Sequence, residues 1–334
     1  MQRKIIIVLA VILLLIAALY SGVCMLSSQD DMHPDTDKAK LCYIPILSTP
    51  GEIELIPGLR FRVDTGSDLS TITESDLALL DSLGFSVKKK WYPVVGRDGG
   101  GKYNFNLRRY TVDLPLIKYD IKTDSLGKKY GVGRLKDATV LRNVDFAPST
   151  SGISVLGIDF LEKFKLEYDF TNRAIALYQA DPDTAYLTCA ELYTSKSPLQ
   201  MPMLGKRYLL DLKAAGYEGR FFIDSGIKDA RVKMPASQVE MVHKADIVND
   251  TVVTALGSFA AKVYNRAVVS IGDRVGLGNV YFYDSREEDF AINPFNLFLQ
   301  NVLIDFPERK VKLFPIYQKN KTIPDLVSGI SLID

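Results

Sequence analysis

The chain has 334 residues, 47% of them hydrophobic and 24% charged, a composition typical of a globular protein and not of a disordered one. Its 41 Lys and Arg nearly balance its 40 Asp and Glu, so no strong net charge is present to attract nucleic acid. The length favours two domains or one large two-lobed domain.

The N-terminal segment is apolar. After Arg3 and Lys4, no charged residue occurs until Asp30, a pattern typical of a signal anchor or of a cleaved signal peptide. The basic residues before this stretch predict a membrane anchor with the rest of the chain outside the cytoplasm, in a bacterial periplasm or cell envelope. Cys24 leaves attachment as a lipoprotein open, because the three residues before it resemble a lipobox.

The remainder of the chain is rich in predicted strands. From about Leu41, short runs of β-branched and aromatic residues are separated by Gly, Pro, Asn and Asp. Helical patterns are restricted to residues 74–84, 158–164 and 236–245. The predicted fold class is therefore all-β, mainly strands with short helices, preceded by one N-terminal hydrophobic helix.

An internal repeat divides the chain. Residues 61–66 read FRVDTG and residues 221–226 read FFIDSG: an apolar strand, an aspartate, a small hydroxyl residue and a glycine. A second signature, an Asp-Phe pair with an arginine three residues after the Phe and then an alternating strand, closes residues 156–178 and 292–314. Because two signatures recur in the same order, the chain is predicted to contain two copies of one β unit.

This repeat predicts a monomer that is an internal pseudo-dimer. The expected segments are 1–29 (signal anchor or signal peptide), 30–40 (polar linker), 41–180 (N-terminal lobe), 181–199 (inter-lobe linker), 200–317 (C-terminal lobe) and 318–334 (C-terminal tail).

Cysteine and histidine are scarce, which disfavours several kinds of site. Three cysteines are too few for a disulfide scaffold or a zinc site, although pairing of Cys42 with Cys189 stays open. Of the two histidines, His33 lies in a polar linker and His243 in a helical pattern, so a nucleophile activated by histidine is not expected. No metal or other cofactor is predicted.

The two repeated aspartates, Asp64 and Asp224, are the candidate catalytic residues. If the halves pack about a pseudo-twofold axis, both carboxyls meet at the bottom of a cleft. Two carboxyls at hydrogen-bonding distance share one proton, so one can accept a proton from water while the other donates to a carbonyl oxygen. This chemistry hydrolyses a peptide bond.

The neighbouring residues fit a supporting role for these carboxyls. The glycines should let the backbone approach closely and donate N–H groups to the carboxylates. The threonine and the second serine should bond across the axis, and the first serine should hold its aspartate through a further hydrogen bond. This supporting loop consists of Thr65, Gly66, Ser67, Ser225 and Gly226.

These motifs resemble a known family. Residues 64–67 (DTGS) and 224–226 (DSG), with the closing signature, are similar to the catalytic loops of the aspartic protease superfamily of pepsins and retropepsins. The resemblance covers most of residues 41–317. It implies a bilobal, pseudo-twofold pepsin-like fold built from retropepsin-like halves, and an extracytoplasmic aspartic endopeptidase that acts on a peptide or protein substrate.

The resemblance also implies a mobile β-hairpin, the flap, over the cleft. A glycine-rich stretch at residues 94–103 lies where its tip would be expected, and residues 254–264 are a candidate for a second hairpin. The predicted flap and substrate-binding residues are Gly96, Gly99, Gly100, Gly101 and Tyr103.

Two positions depart from the pattern of the family. Ile227 stands where a small or hydroxyl residue is expected, and Asn293 stands where the first half has Gly157, so both are expected to weaken the second loop. They favour an alternative function, a catalytically impaired pseudo-protease that binds extended peptides in the cleft. A third alternative is a structural β protein whose Asp-x-Gly segments are only turns.

Overall fold

A computed structural model describes residues 29, 31–48, 51–97, 103–182, 186–196, 206–227, 231–243, 246–254, 257–284, 290–295, 300–314 and 330–333. Strands make up 59% of the structure and helices 10%, which confirms the predicted all-β class. The predicted N-terminal hydrophobic helix and Cys24 lie in residues 1–28, outside the described residues. Within the described ranges, no helix is both long enough and apolar enough to cross a membrane.

The strands follow one another with few helices between them. Those of the first half are β1 (His33–Pro34), β2 (Lys40–Ser48), β3 (Glu52–Ile56), β4 (Leu59–Val63), β5 (Thr71–Ile72), β6 (Val87–Arg97), β7 (Tyr103–Leu116), β8 (Asp120–Thr123), β9 (Lys129–Gly133), β10 (Thr139–Pro148), β11 (Ser154–Leu156), β12 (Lys165–Asp169) and β13 (Ala174–Tyr178). Those that follow are β14 (Leu187–Lys196), β15 (Lys206–Ala214), β16 (Tyr217–Ile223), β17 (Arg231–Met234), β18 (Ile247–Thr254), β19 (Gly257–Ile271), β20 (Arg274–Phe282), β21 (Ala291–Ile292), β22 (Val302–Asp305), β23 (Lys310–Leu313) and β24 (Ile330–Leu332).

The helices are short. Helix α1 (Glu74–Ser82) begins after Thr73, whose hydroxyl oxygen accepts the backbone N–H of Asp76 at 3.1 Å and caps the helix. Helix α2 (Ile158–Leu161) has no side-chain cap and ends earlier than predicted. The third predicted helix is a 3-10 helix, η2 (Ala236–Met241), which also lacks a side-chain cap; η1 (Leu135–Asp137) is a further 3-10 turn.

The pattern of strand pairing in the first half recurs in the second. Strand β4 pairs in parallel with β11, and β16 pairs in parallel with β21. Likewise β5 pairs in parallel with β10, and β17 with β20. Strand β14 corresponds to β2, although it lies within residues 181–199, a stretch predicted to be a linker. The domain boundaries themselves stay a prediction.

One antiparallel sheet joins the two halves, in the strand order β2-β13-β12-β22-β23-β14. At its centre β12 pairs with β22, where Leu166 and Ile304 are opposite each other and fully buried. The turns that follow β12 and β22 also match. Arg173 and Arg309 both have positive φ, 51° and 57°, which is uncommon for a residue with a side chain. The repeat therefore extends to the conformation of single residues.

The cysteines for which pairing was left open are both free thiols. Cys42 is buried in β2, and the thiol of Cys189 in β14 donates to the carbonyl of Val311 at 3.3 Å. Burial raises the pKa of each thiol to about 12, so both stay protonated at neutral pH.

Candidate functional site

Each predicted catalytic aspartate follows the buried last residue of a strand, Val63 of β4 or Ile223 of β16. The backbone N–H of Asp64 donates to the carbonyl of Leu156 at 3.0 Å, and that of Asp224 donates to the carbonyl of Ile292 at 2.9 Å. These carbonyls belong to β11 and β21, the parallel partners of β4 and β16. The two carboxyls are thus held at equivalent positions of the repeat.

Thr65 and Ser225 bind each other across the two loops, as predicted from the sequence. The N–H of Thr65 donates to Oγ of Ser225 at 3.0 Å, and the N–H of Ser225 donates to Oγ1 of Thr65 at 2.9 Å. Each hydroxyl then donates to the strand before the opposite loop, at the carbonyl of Ile223 or Val63, both at 3.0 Å. We call these four hydrogen bonds the loop clasp. Because both residues are at most 3% exposed, the clasp fixes the loops away from competing water.

The two carboxyls are in contact, each against the glycine of the opposite loop. The N–H of Gly66 donates to Oδ1 of Asp64 at 2.9 Å, and the N–H of Gly226 donates to Oδ1 of Asp224 at 2.8 Å. A Cβ atom on Gly66 would lie 2.6 Å from Oδ1 of Asp224, and one on Gly226 would lie 2.8 Å from Cγ of Asp64. Only glycine leaves room for this approach. The two side chains are also hydrogen-bonded to each other.

Burial raises the pKa of Asp64, although several contacts act in the opposite direction. The opposing contacts are the N–H of Gly66, the positive charge of Arg62, the hydrogen bond with Asp224 and the N–H of Ser67. Because the net shift is upward, a proton stays on the pair at a higher pH than on an ordinary aspartate.

Ser67 supports its aspartate through the backbone and not through its hydroxyl. Its N–H donates to the carbonyl of Asp64 at 3.1 Å and also contacts the Asp64 carboxyl. The predicted hydrogen bond between Ser67 and Asp64 thus comes from the backbone N–H, while the hydroxyl donates to the carbonyl of Leu69 at 3.0 Å. In the second loop the N–H of Ile227 lies 3.4 Å from the carbonyl of Asp224. Since the Ser67 hydroxyl does not bind Asp64, an isoleucine at the equivalent position 227 does not cost Asp224 a hydroxyl hydrogen bond that Asp64 has.

Asn293 was expected to weaken the second loop, and that prediction is wrong. The side chain is 5% exposed, and its Nδ2 donates to the carbonyl of Ile227 at 2.8 Å. Its backbone is not in the left-handed region, so the conformational tolerance of asparagine is not what selects it. The signal that reveals its role is the next residue, Pro294, which has no N–H to offer.

Gly157, the counterpart of Asn293, touches the backbone of the first loop. A Cβ atom at this position would lie 2.6 Å from the carbonyl carbon of Leu69 and 2.8 Å from the carbonyl oxygen of Ser67. We expect Gly157→Ala to lower the free energy of unfolding by about 1–3 kcal/mol, because backbone atoms cannot rotate away. Denaturant titration measures this, with the exposed Ser151→Ala in the preceding loop as a control that should match the wild type. An unchanged midpoint for Gly157→Ala would contradict the close approach.

Both predicted hairpin regions contain paired strands. In β6 and β7, Gly96 lies opposite Asn104 and Arg97 lies opposite Tyr103, while Gly99, Gly100 and Gly101 fall outside the described residues. In the second half β18 and β19 pair as far as Thr254 and Gly257. The assignment of these residues to substrate binding stays a prediction.

Asp181, Asp305 and Glu308 form an acidic cluster, with carboxylate oxygens within 4.8 Å of one another. Two lysines form ion pairs with it: Nζ of Lys165 lies 3.0 Å and Nζ of Lys312 lies 2.6 Å from the fully buried Asp305. The cluster is therefore an ion-pair network within the sheet that joins the halves.

Comparison with known proteins found no matching family model and no matching curated protein. The chain is similar to the solved structures of edgp (12% identity, 84% of this chain and 96% of that one, TM-score 0.47), basic 7S globulin from soybean (8%, 83% and 94%, 0.43) and conglutin gamma, a basic 7S globulin from lupine seeds (10%, 84% and 96%, 0.44).

These neighbours are seed globulins and edgp, not pepsins or retropepsins. The predicted membership of the chain in the aspartic protease superfamily of pepsins and retropepsins is therefore wrong. The contact between Asp64 and Asp224 is a property of this chain and does not depend on that assignment.

Proposed function

We propose that the chain hydrolyses peptide bonds as an aspartic-type endopeptidase, with Asp64 and Asp224 as its acid and base. One observation carries this proposal: the two carboxyls are hydrogen-bonded to each other, and each is packed against the glycine of the opposite loop. The loop clasp supports the proposal, because it holds the two loops rigidly and none of its four hydrogen bonds uses a carboxyl oxygen of Asp64 or Asp224.

The mechanism needs one proton on the pair and one water between the carboxyls. The ionised carboxylate takes a proton from the water as its oxygen attacks the carbonyl carbon, and the protonated carboxyl donates to the carbonyl oxygen. As the tetrahedral intermediate collapses, the C–N bond breaks and the nitrogen receives the proton that the first carboxylate took from water. A hydroxyl of the intermediate returns a proton to the carboxyl that had donated to the carbonyl oxygen. The pair returns to its starting state.

The two repeats would form lobes about a pseudo-twofold axis through the loop clasp, with the dyad at the bottom of the cleft between them. A monomer would then contain the whole site. An extended peptide would bind between the paired strands β6/β7 and β18/β19, and its backbone would form hydrogen bonds with strand edges. A location outside the cytoplasm is also a proposal, and it rests on the apolar stretch after Lys4.

Binding of extended peptides without cleavage is the second candidate function. In the sequence Ile227 favours it, because its half-buried apolar side chain follows Asp-Ser-Gly where a small or hydroxyl residue was expected. Because the Ser67 hydroxyl of the first loop donates to Leu69 and not to Asp64, the structure adds no support to this interpretation of Ile227. Retained binding of a pepstatin-type inhibitor or a peptide by a wild-type protein that does not cleave would distinguish this function from the first.

Cleavage of an unfolded protein and of a mixed peptide library should depend on pH as a bell-shaped curve. Activity should fall as pH rises through the elevated pKa of Asp64, because the shared proton is then lost, and again at low pH, when both carboxyls are protonated. Mass spectrometry of products from pH 3 to 8 checks this expectation. Activity that increases steadily into the alkaline range would contradict a carboxyl pair.

The stability of the protein should also depend on the protonation of Asp64. Since the folded pKa of Asp64 lies above its unfolded value of about 4, folding favours the protonated form, and stability falls as pH rises from about 4 through the folded pKa. Denaturant titrations at several pH values should show this decline in the wild type and a smaller one in Asp64→Asn.

A further inference from the structure

We propose that Asn293 is a positioning residue for Asp224, and that Pro294 makes it necessary. This inference rests on the function proposed above, because it concerns the same pair of carboxyls. Asn293 departs from the repeat in sequence, and its side chain restores the hydrogen bond that the repeat has at this position.

The first half shows what must be replaced. There the N–H of Ile158 donates to the carbonyl of Ser67 at 2.7 Å, which ties the loop of Asp64 to the start of helix α2. Gly157 allows this contact, because a side chain would overlap the backbone of Leu69. The loop is thus fixed by one hydrogen bond between two backbone groups.

In the second half this hydrogen bond cannot form in the same way. Asn293 and Pro294 occupy the positions of Gly157 and Ile158, and proline has no N–H. The carbonyl of Ile227, the counterpart of Ser67, would therefore lack its donor. Nδ2 of Asn293 supplies the donor at 2.8 Å, nearly the distance of the backbone bond in the first half.

The amide side chain is suited to this position because it donates and accepts. Its Nδ2 also lies 3.4 Å from the carbonyl of Ser225, and its Oδ1 accepts the N–H of Phe295 at 3.0 Å. An apolar residue of similar size would leave the carbonyl of Ile227 and the N–H of Phe295 without these partners in a buried setting.

The contacts of Asn293 lead directly to the carboxyl of Asp224. The two carbonyls that it approaches, of Ser225 and Ile227, flank Gly226 in the chain. The N–H of Gly226 donates to Oδ1 of Asp224 at 2.8 Å and orients that carboxyl toward its partner. Loss of the side-chain amide should therefore change the orientation of Asp224 without removing any group that touches substrate.

Two variants test this inference. Asn293→Leu keeps the branched shape of the side chain and removes the donor and acceptor, and it should lower kcat by roughly 10- to 100-fold with little change in KM, because a small misplacement of a catalytic group is costly. The double variant Asn293→Gly, Pro294→Ile recreates the first-half arrangement and should recover most of kcat and the wild-type pH profile. Asn265→Ala, an exposed asparagine on β19, should match the wild type.

The titration of Asp224 gives a readout that does not depend on cleavage. In protein with 13C-labelled aspartate carboxyls, the resonance of Asp224 should titrate differently in Asn293→Leu and return to the wild-type curve in the double variant. Wild-type titration and kcat in Asn293→Leu would overturn the inference. If the wild-type protein cleaves no peptide, the proposed function fails, and the NMR titration still decides whether Asn293 positions Asp224.

Discussion

Asp64→Asn and Asp224→Asn should each abolish peptide cleavage, with a loss of about 10³-fold or more in kcat. Each substitution removes one of the two groups that must exchange a proton with the water and the substrate. An amide neither accepts the proton of water nor donates to the carbonyl oxygen as a carboxylic acid does. Cleavage of a peptide library, followed by mass spectrometry over a range of pH, measures the loss.

Folding should be preserved in both variants, which makes the loss interpretable. Asparagine has nearly the same shape as aspartate, and its Oδ1 can still accept the N–H of Gly66 at the 2.9 Å seen for Asp64. The matched control is Asp211→Asn: Asp211 is an exposed aspartate whose ion pair with Arg220 lies at the surface, and the variant should cleave at the wild-type rate. If Asp64→Asn or Asp224→Asn still cleaves at the wild-type rate, the proposed function is wrong.

Thr65→Val and Ser225→Ala should each lower the free energy of unfolding by about 2 to 5 kcal/mol, because each breaks half of the loop clasp. Thr65→Val leaves the buried N–H of Ser225 without its acceptor and the carbonyl of Ile223 without its donor. Ser225→Ala has the same effect on the N–H of Thr65 and the carbonyl of Val63. Denaturant titration at neutral pH gives the two values.

The clasp also predicts how the two substitutions combine. Because both residues belong to one network, the double variant should lose less stability than the sum of the single variants, by roughly 0.5–3 kcal/mol. Thr194→Val on β14, where the side chain is exposed, provides a control for the change from threonine to valine and should be nearly neutral. A single variant as stable as the wild type would show that the clasp does not hold the loops together.

The amino-acid sequence by itself determined the strand-rich class and the two aspartate loops. Both depend on local chemistry: apolar strands of period two end at an aspartate, and a glycine follows where the backbone must approach closely. The crossing contacts of Thr65 and Ser225 were also predictable, because the two loops repeat the same short motif and a pseudo-twofold axis pairs equivalent residues. The matched turns at Arg173 and Arg309 belong to the same local signature.

Only the tertiary structure decided which partners the remaining polar groups take. The Ser67 hydroxyl turns to Leu69 and not to Asp64, Cys42 and Cys189 stay unpaired, and Asn293 strengthens the loop that it was expected to weaken. The bond from Asn293 to Ile227 spans 66 residues of chain. No local pattern specifies such a contact, because a buried donor takes whichever acceptor the packed strands bring within reach.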